Sequence, residues 1–160
     1  KMILEYAQLL STAHRVLDGT ESVRLSKSGR KQKHWSLADQ RDADLYSATH
    51  INHPSAVWVR KSSDNYVWLH NLLVSLCKEY TYRYGKTHKS QQVIEWCIVN
   101  KPRIKDNGFT EPAKAMPDEF KVDDFVQSYR NYYNGAKADF AKWTNRAMPE
   151  WFKKTKELCN

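Results

Sequence analysis

Glycine is scarce, with five in 160 residues, and none stands in a G-x-G-x-x-G fingerprint or a P-loop. The common kinds of nucleotide-dependent enzymology are therefore disfavoured, because their phosphates rest on glycine-rich turns. Cysteine is scarcer still: Cys77, Cys97 and Cys159 are an odd, scattered set. They offer neither a C-x-x-C pair nor the density of a disulfide scaffold, and point to a reducing, cytoplasmic setting. No apolar run is long enough to cross a bilayer, and Lys1-Met2-Ile3-Leu4-Glu5 lacks the h-region and cleavage site of a signal peptide. No membrane is expected as a partner. Repeats and low-complexity tracts are also missing.

Positive charge is plentiful. Twenty-six Lys and Arg face eighteen Asp and Glu, a net charge of +8, which suits a polyanionic partner better than a neutral small molecule. With 41% hydrophobic and 28% charged residues, the chain reads as one globular domain over residues 1–160. Helical periodicity is already running at Lys1, so native residues are expected upstream of it.

The pattern predicts a mainly α fold, a compact single-domain bundle of four to five helices with a basic loop or small hairpin near residues 20–36. Ile3, Ala7, Leu10, Ala13 and Leu17 form the stripe of a first helix that Asp18-Gly19 should end, glycine supplying a left-handed cap. Around Ser28-Gly29, Val23-Arg24-Leu25 can pair with Lys33-His34-Trp35, or the segment is a loop. His53-Pro54 marks a break before Ala56-Val57-Trp58-Val59. Ser62-Ser63-Asp64 offers N-cap chemistry to a long helix carrying Tyr66, Leu69, Leu73 and Tyr80, stopping at Tyr84-Gly85. A shorter helix over 90–99 buries Val93, Ile94 and Cys97. Residues 101–121 read as an irregular connection. A last helix opens at Asp123-Asp124 and runs through Tyr129, Tyr133, Ala136, Phe140 and Trp143 until Pro149 breaks it.

Cations interleave with aromatics in three stretches, as nucleic-acid surfaces require for phosphates and bases. The first holds Arg24, Lys27, Arg30, Lys31, Lys33 and Trp35; the second Tyr80, Tyr82, Arg83, Tyr84, Lys86, His88 and Lys89; the third Trp143, Arg146, Trp151 and Lys153, on to Lys156. Tyrosines at helical spacing are equally what a core uses.

No metal site and no cofactor are expected. His50 and His53 lack a matching ligand pair, and Pro54 favours a capping or packing role for them. Asp39, Asp42 and Asp44 lack the glycine turn and terminal glutamate of a calcium loop. Glu5 and Glu79, each beside the apolar stripe of its helix, are the candidate acid or base groups, with ion pairing as the alternative. His14 and His70 stand alone and carry no assigned role.

Met116-Pro117-Asp118-Glu119-Phe120-Lys121-Val122-Asp123 resembles a run found before the last long helix of the bacteriophage pyrimidine-dimer DNA glycosylase family, the endonuclease V-like enzymes. Arg146, Pro149, Trp151, Phe152 and Lys153 are similar to that family's ending, although two residues separate Arg146 from Pro149 here. The segment ending Lys78-Glu79-Tyr80-Thr81-Tyr82-Arg83-Tyr84-Gly85 resembles its long helix, so the likeness covers roughly residues 50–155. The resemblance implies an all-α, metal-free protein that binds damaged duplex DNA, extrudes a base, attacks the sugar with an α-amine and cleaves the strand by elimination. An α-amine titrates near 8 and is a usable nucleophile near neutral pH. Glu5-Tyr6 resembles the family's Glu-Tyr pair, while Gln8 stands where the family has its working glutamate.

These readings lead to a DNA-binding protein that resembles a DNA repair glycosylase and lyase acting on pyrimidines. The nucleophile is then an amine upstream of Lys1 or a lysine, with Glu5 assisting. The alternatives are a non-enzymatic phage DNA-binding or anti-defence protein on the same scaffold, and a helical protein-protein adaptor using Trp143 and Trp151 as anchors.

Overall fold

The first helix, α1 (Met2–Asp18), turns Ile3, Ala7, Leu10 and Ala13 inward, and all four are buried. In the computed structural model, which describes residues 1–153, α1 is followed by β1 (Thr20–Leu25), β2 (Lys31–Ser36), α2 (Arg41–Asp44), α3 (Pro54–Val59), α4 (Ser63–Tyr84), α5 (Gln91–Val99) and α6 (Phe125–Asn134). Cys159 and the end of the third basic stretch, through Lys156, lie outside the described residues. The fold is helix-dominated with one two-stranded antiparallel sheet, so it is not purely α. No helix among the described residues is long and apolar enough to cross a membrane.

The chain divides into two units, residues 1–110 and 111 onward. The first unit holds the main core, where Leu10, Val59, Tyr66, Leu69, Leu73, Val93 and Cys97 from four helices meet. Each fully buried aliphatic side chain there contributes about 1.5–3 kcal/mol relative to exposure. α4 begins as its sequence dictates: Ser62 Oγ accepts from Asp64 N, and Gly85 at φ 61° supplies the left-handed residue that closes the helix. α5 runs back against α4, with Tyr66 near Cys97 and His70 near Ile94. His53 caps α3, its Nδ1 accepting from Ser55 N with Pro54 in the first turn.

Two boundaries differ from the expectation. Gly19 ends α1 in extended geometry, φ −85° and ψ 163°, and not in the left-handed region. Glycine is required there by closeness: a Cβ would lie 2.4 Å from the Arg15 carbonyl oxygen and 3.0 Å from that of Ser36. The last helix also stops early, at Asn134, so Ala136, Phe140 and Trp143 are not on it. At Gly135 the backbone leaves the helix, and a Cβ there would meet the Phe120 ring at 2.5 Å. Helical spacing persists in the sequence past that point, but the Gly135 backbone, at φ −90° and ψ −96°, has left the helical region, and the close approach of Phe120 requires glycine there.

Hydrogen bonds tie the segments of the second unit to α6. Asp124 caps α6 through Gln127 N at 2.6 Å, and Ser128 Oγ bonds Val122 N and the Asp124 carbonyl. Asn134 reaches the Trp151 carbonyl and accepts from Lys153 N, holding the final segment to α6.

Candidate nucleic-acid interface

The basic segment after α1 is a β-ribbon. Gly29 at φ 75° makes the turn, Ser26 N donates to the Arg30 carbonyl at 2.8 Å, and Ser26 Oγ accepts from Arg30 N at 3.0 Å. The register pairs Glu21 with Trp35, Val23 with Lys33, and Leu25 with Lys31. Opposite pairs share a face, so Val23, Leu25, Lys31 and Lys33 line one side and Arg24 and His34 the other. Every residue of β1 is exposed, while Trp35 is buried and pins the root of β2 to the core.

Five candidate cations are thus brought together. Lys33 pairs with Glu21 at 2.8 Å and Arg24 reaches Ser36 Oγ. Lys27, Arg30 and Lys31 are exposed, and their side chains have no ion partner among the described residues. This charge is available to phosphates. Val23 and Leu25, 63% and 69% exposed, add an apolar strip between the lysines.

The second stretch lies elsewhere. His14 at the end of α1, beside the ribbon root, touches Tyr66 in the first turn of α4; Arg83 is seventeen residues further along α4, roughly 25 Å away. Arg83 Nε pairs with Glu79 at 2.7 Å, which gives Glu79 the ion-pair role and not that of a free acid. Lys86 and Lys89 are exposed. His88 packs edge-on against Tyr80, its Nδ1 accepts from Ser90 N, and burial pushes its pKa below the ordinary value, so it is a neutral ring at neutral pH.

In the second unit Arg146 and Lys153 are exposed, and Trp151 joins the unit's own aromatic cluster. Its ring lies 6.3 Å from Trp143 and 5.9 Å from Phe152, with Arg130 at 5.6 Å. Glu5 is half exposed and lies 3.8 Å from Lys1 Nζ, a pairing of little energetic weight at such a surface.

A buried polar network that sequence reasoning missed supports the ribbon. His14, 1% exposed, shares its Nε2 with Tyr66 Oη at 2.8 Å, and its Nδ1 faces Arg41 Nη1 at 3.0 Å. Arg41 also grips Asp18 at 2.6 Å and Asp39 through two nitrogens. Arg15, 4% exposed, reaches Asp42 and four backbone carbonyls. Hydrogen bonding to Arg41 holds the Asp39 carboxyl below its usual range; Leu37 N, then Arg15, does the same for Asp42. These acids are arginine partners, and no metal-ligating cluster exists among the described residues. The available signal was that residues 11–15 of α1 are small, cationic or imidazole groups with no flexible acid or amide to mark a wet face.

Burial first, then the Arg41 charge, lowers His14 from 6.5 to about 4. Because the folded pKa lies below the unfolded one, the unfolded chain binds more protons between those values. The stabilisation from neutral His14 is complete above pH 6.5 and is lost as pH falls toward 4, by about 3 kcal/mol. Urea unfolding at pH 7 and pH 4.5 should show this loss, and His14→Gln should flatten it; an equally steep profile in that variant would refute the assignment.

Comparison of the chain with protein-family models, with curated proteins and with solved structures gives no match.

Proposed function

We propose that this protein binds double-stranded DNA, with the β1–β2 ribbon as its contact arm. The observation that carries the reading is the exposed two-stranded ribbon bearing Arg24, Lys27, Arg30, Lys31 and Lys33. A ribbon of this kind fits the major groove of B-DNA, and each six-residue strand spans about 20 Å. Cations without internal partners can displace condensed counterions, which drives non-specific association. The net charge of +8 adds long-range attraction of the same sign.

The motif resemblance at Met116–Asp123 and Arg146–Lys153 supports extending this reading to damaged DNA, with glycosylase and lyase chemistry by an amine. In that scheme the amine adds to C1′ of the sugar as the base leaves, the C1′–O4′ bond opens with a proton passing to O4′ to give an imine, and loss of a C2′ proton to a base then breaks the C3′–O bond and releases the 3′ phosphate. One experiment separates the layers. Duplex binding should weaken linearly in log–log with salt, and borohydride should trap a covalent adduct on abasic DNA if the amine chemistry operates. Salt-independent binding, or none, overturns the DNA reading; salt-dependent binding without an adduct leaves a binding protein and removes the lyase.

A further inference from the structure

Next to the ribbon root lies a cleft of about 520 Å³ between the α2 segment and the C-terminal end of α5. Its size falls in the range of small-molecule sites. The paired Arg41, Asp18 and Asp39, together with Trp96, Gln40 and Asn100, line the cleft. Lys101 and Arg103 complete it. Both are exposed, and neither side chain has a partner among the described residues.

The backbone that carries the two cations is held in place. Pro102 between them is buried, Arg103 N donates to Asp18 Oδ1 at 2.8 Å, and Ile104 N donates to the Pro102 carbonyl at 2.7 Å. Asp18 is held by Arg41 Nη1 and by Arg103 N, and with Lys101 and Arg103 the cations of the lining outnumber its acids by one, so the cleft is net positive. What remains is a pair of free positive charges, a planar indole and two amides that both donate and accept. Phosphate, a flat heterocycle and a hydrogen-bonding base edge match these three elements in turn.

We propose that this cleft binds one nucleoside phosphate, with Lys101 and Arg103 on the phosphate, Trp96 against the base, and Gln40 and Asn100 at the base edge. The same chemistry arrives either as a free mononucleotide or as an unpaired nucleotide of a strand. Gly19, the first residue of the ribbon root, directly follows Asp18 of the cleft, which favours the strand. In that form the proposal rests on the DNA-binding reading and deepens it.

The test titrates the full chain with thymidine and deoxyadenosine monophosphates and with inorganic phosphate, and separately with a duplex carrying one unpaired nucleotide and its fully paired counterpart. The variants are Lys101→Ala/Arg103→Ala, which alters only exposed side chains, and Trp96→Phe, checked by circular dichroism. Mononucleotide binding that weakens at least tenfold in the double variant is expected, together with a preference for the unpaired-nucleotide duplex that the double variant loses. Mononucleotide binding without duplex binding upholds the cleft and removes the DNA reading. Duplex binding with no mononucleotide affinity and no preference for the unpaired nucleotide overturns the cleft. So does inorganic phosphate binding as tightly as the mononucleotides, or affinity that ignores both variants.

Discussion

Replacing Arg15 with methionine is expected to destabilise the chain by about 3–5 kcal/mol, the cost of breaking a buried charged network from one side. A guanidinium has five N–H groups, and the Arg15 side chain makes five hydrogen bonds: Nε to the Tyr46 carbonyl, Nη1 to the Trp35 carbonyl and Asp42 Oδ1, Nη2 to the Asp42 and Leu45 carbonyls. Methionine fills much of the volume but leaves four carbonyls and a carboxylate without their donor. Lysine keeps the charge yet cannot reproduce the planar fork, so Arg15→Lys should recover less than half of the loss. For a domain of this length the methionine variant should melt roughly 10 °C lower. Urea unfolding followed by circular dichroism measures the effect, and a loss below about 1 kcal/mol would show that the network is replaceable by water.

Reversing charge at Lys27, Arg30 and Lys31 together, each to Glu, is expected to reduce duplex DNA affinity by a factor on the order of 10² to 10³ at low salt. Each phosphate contact contributes about 0.9 to the log–log salt slope, so the slope should fall by nearly 3. These residues are exposed and without ion partners, so stability should change by no more than about 0.5 kcal/mol. The Lys86→Glu/Lys89→Glu pair, at the far end of α4, should cost much less per charge reversed. Equal losses from the two variants would mean that net charge alone draws the DNA, and the ribbon would lose its assigned role.

The parts of the molecule legible in its sequence are those set by neighbours along the chain. The cap at Ser62, the stripe carrying Tyr66, Leu69, Leu73 and Tyr80, and Gly85 define α4 without tertiary information. Ser28-Gly29 flanked by short apolar and basic runs admits a ribbon or a loop, and the ribbon with its register, Leu25 opposite Lys31, is decided by the fold. The early end of α6 is not legible because apolar residues continue at helical spacing past it, while the ring that requires glycine at position 135 lies fifteen residues upstream. The network was hidden for the same reason: His14 and Tyr66 are 52 positions apart, and Arg41 and Asp18 are 23. His14 looked solitary because its partners are distant in sequence. Lys101 and Arg103 sit in a segment whose prolines signal only irregular structure, and their common cleft depends on how α5 returns to α1.

The junction at Gly19 has a mechanical meaning. Only this residue separates the rigid α1 from the ribbon, its N–H is bonded to Arg15 at 3.0 Å, and its Cα has no room for another carbon. A tether with so little slack transmits torque. A force applied at the ribbon tip would reach the last turn of α1 through this one residue, where Arg15 and Asp18 bond the surrounding loops.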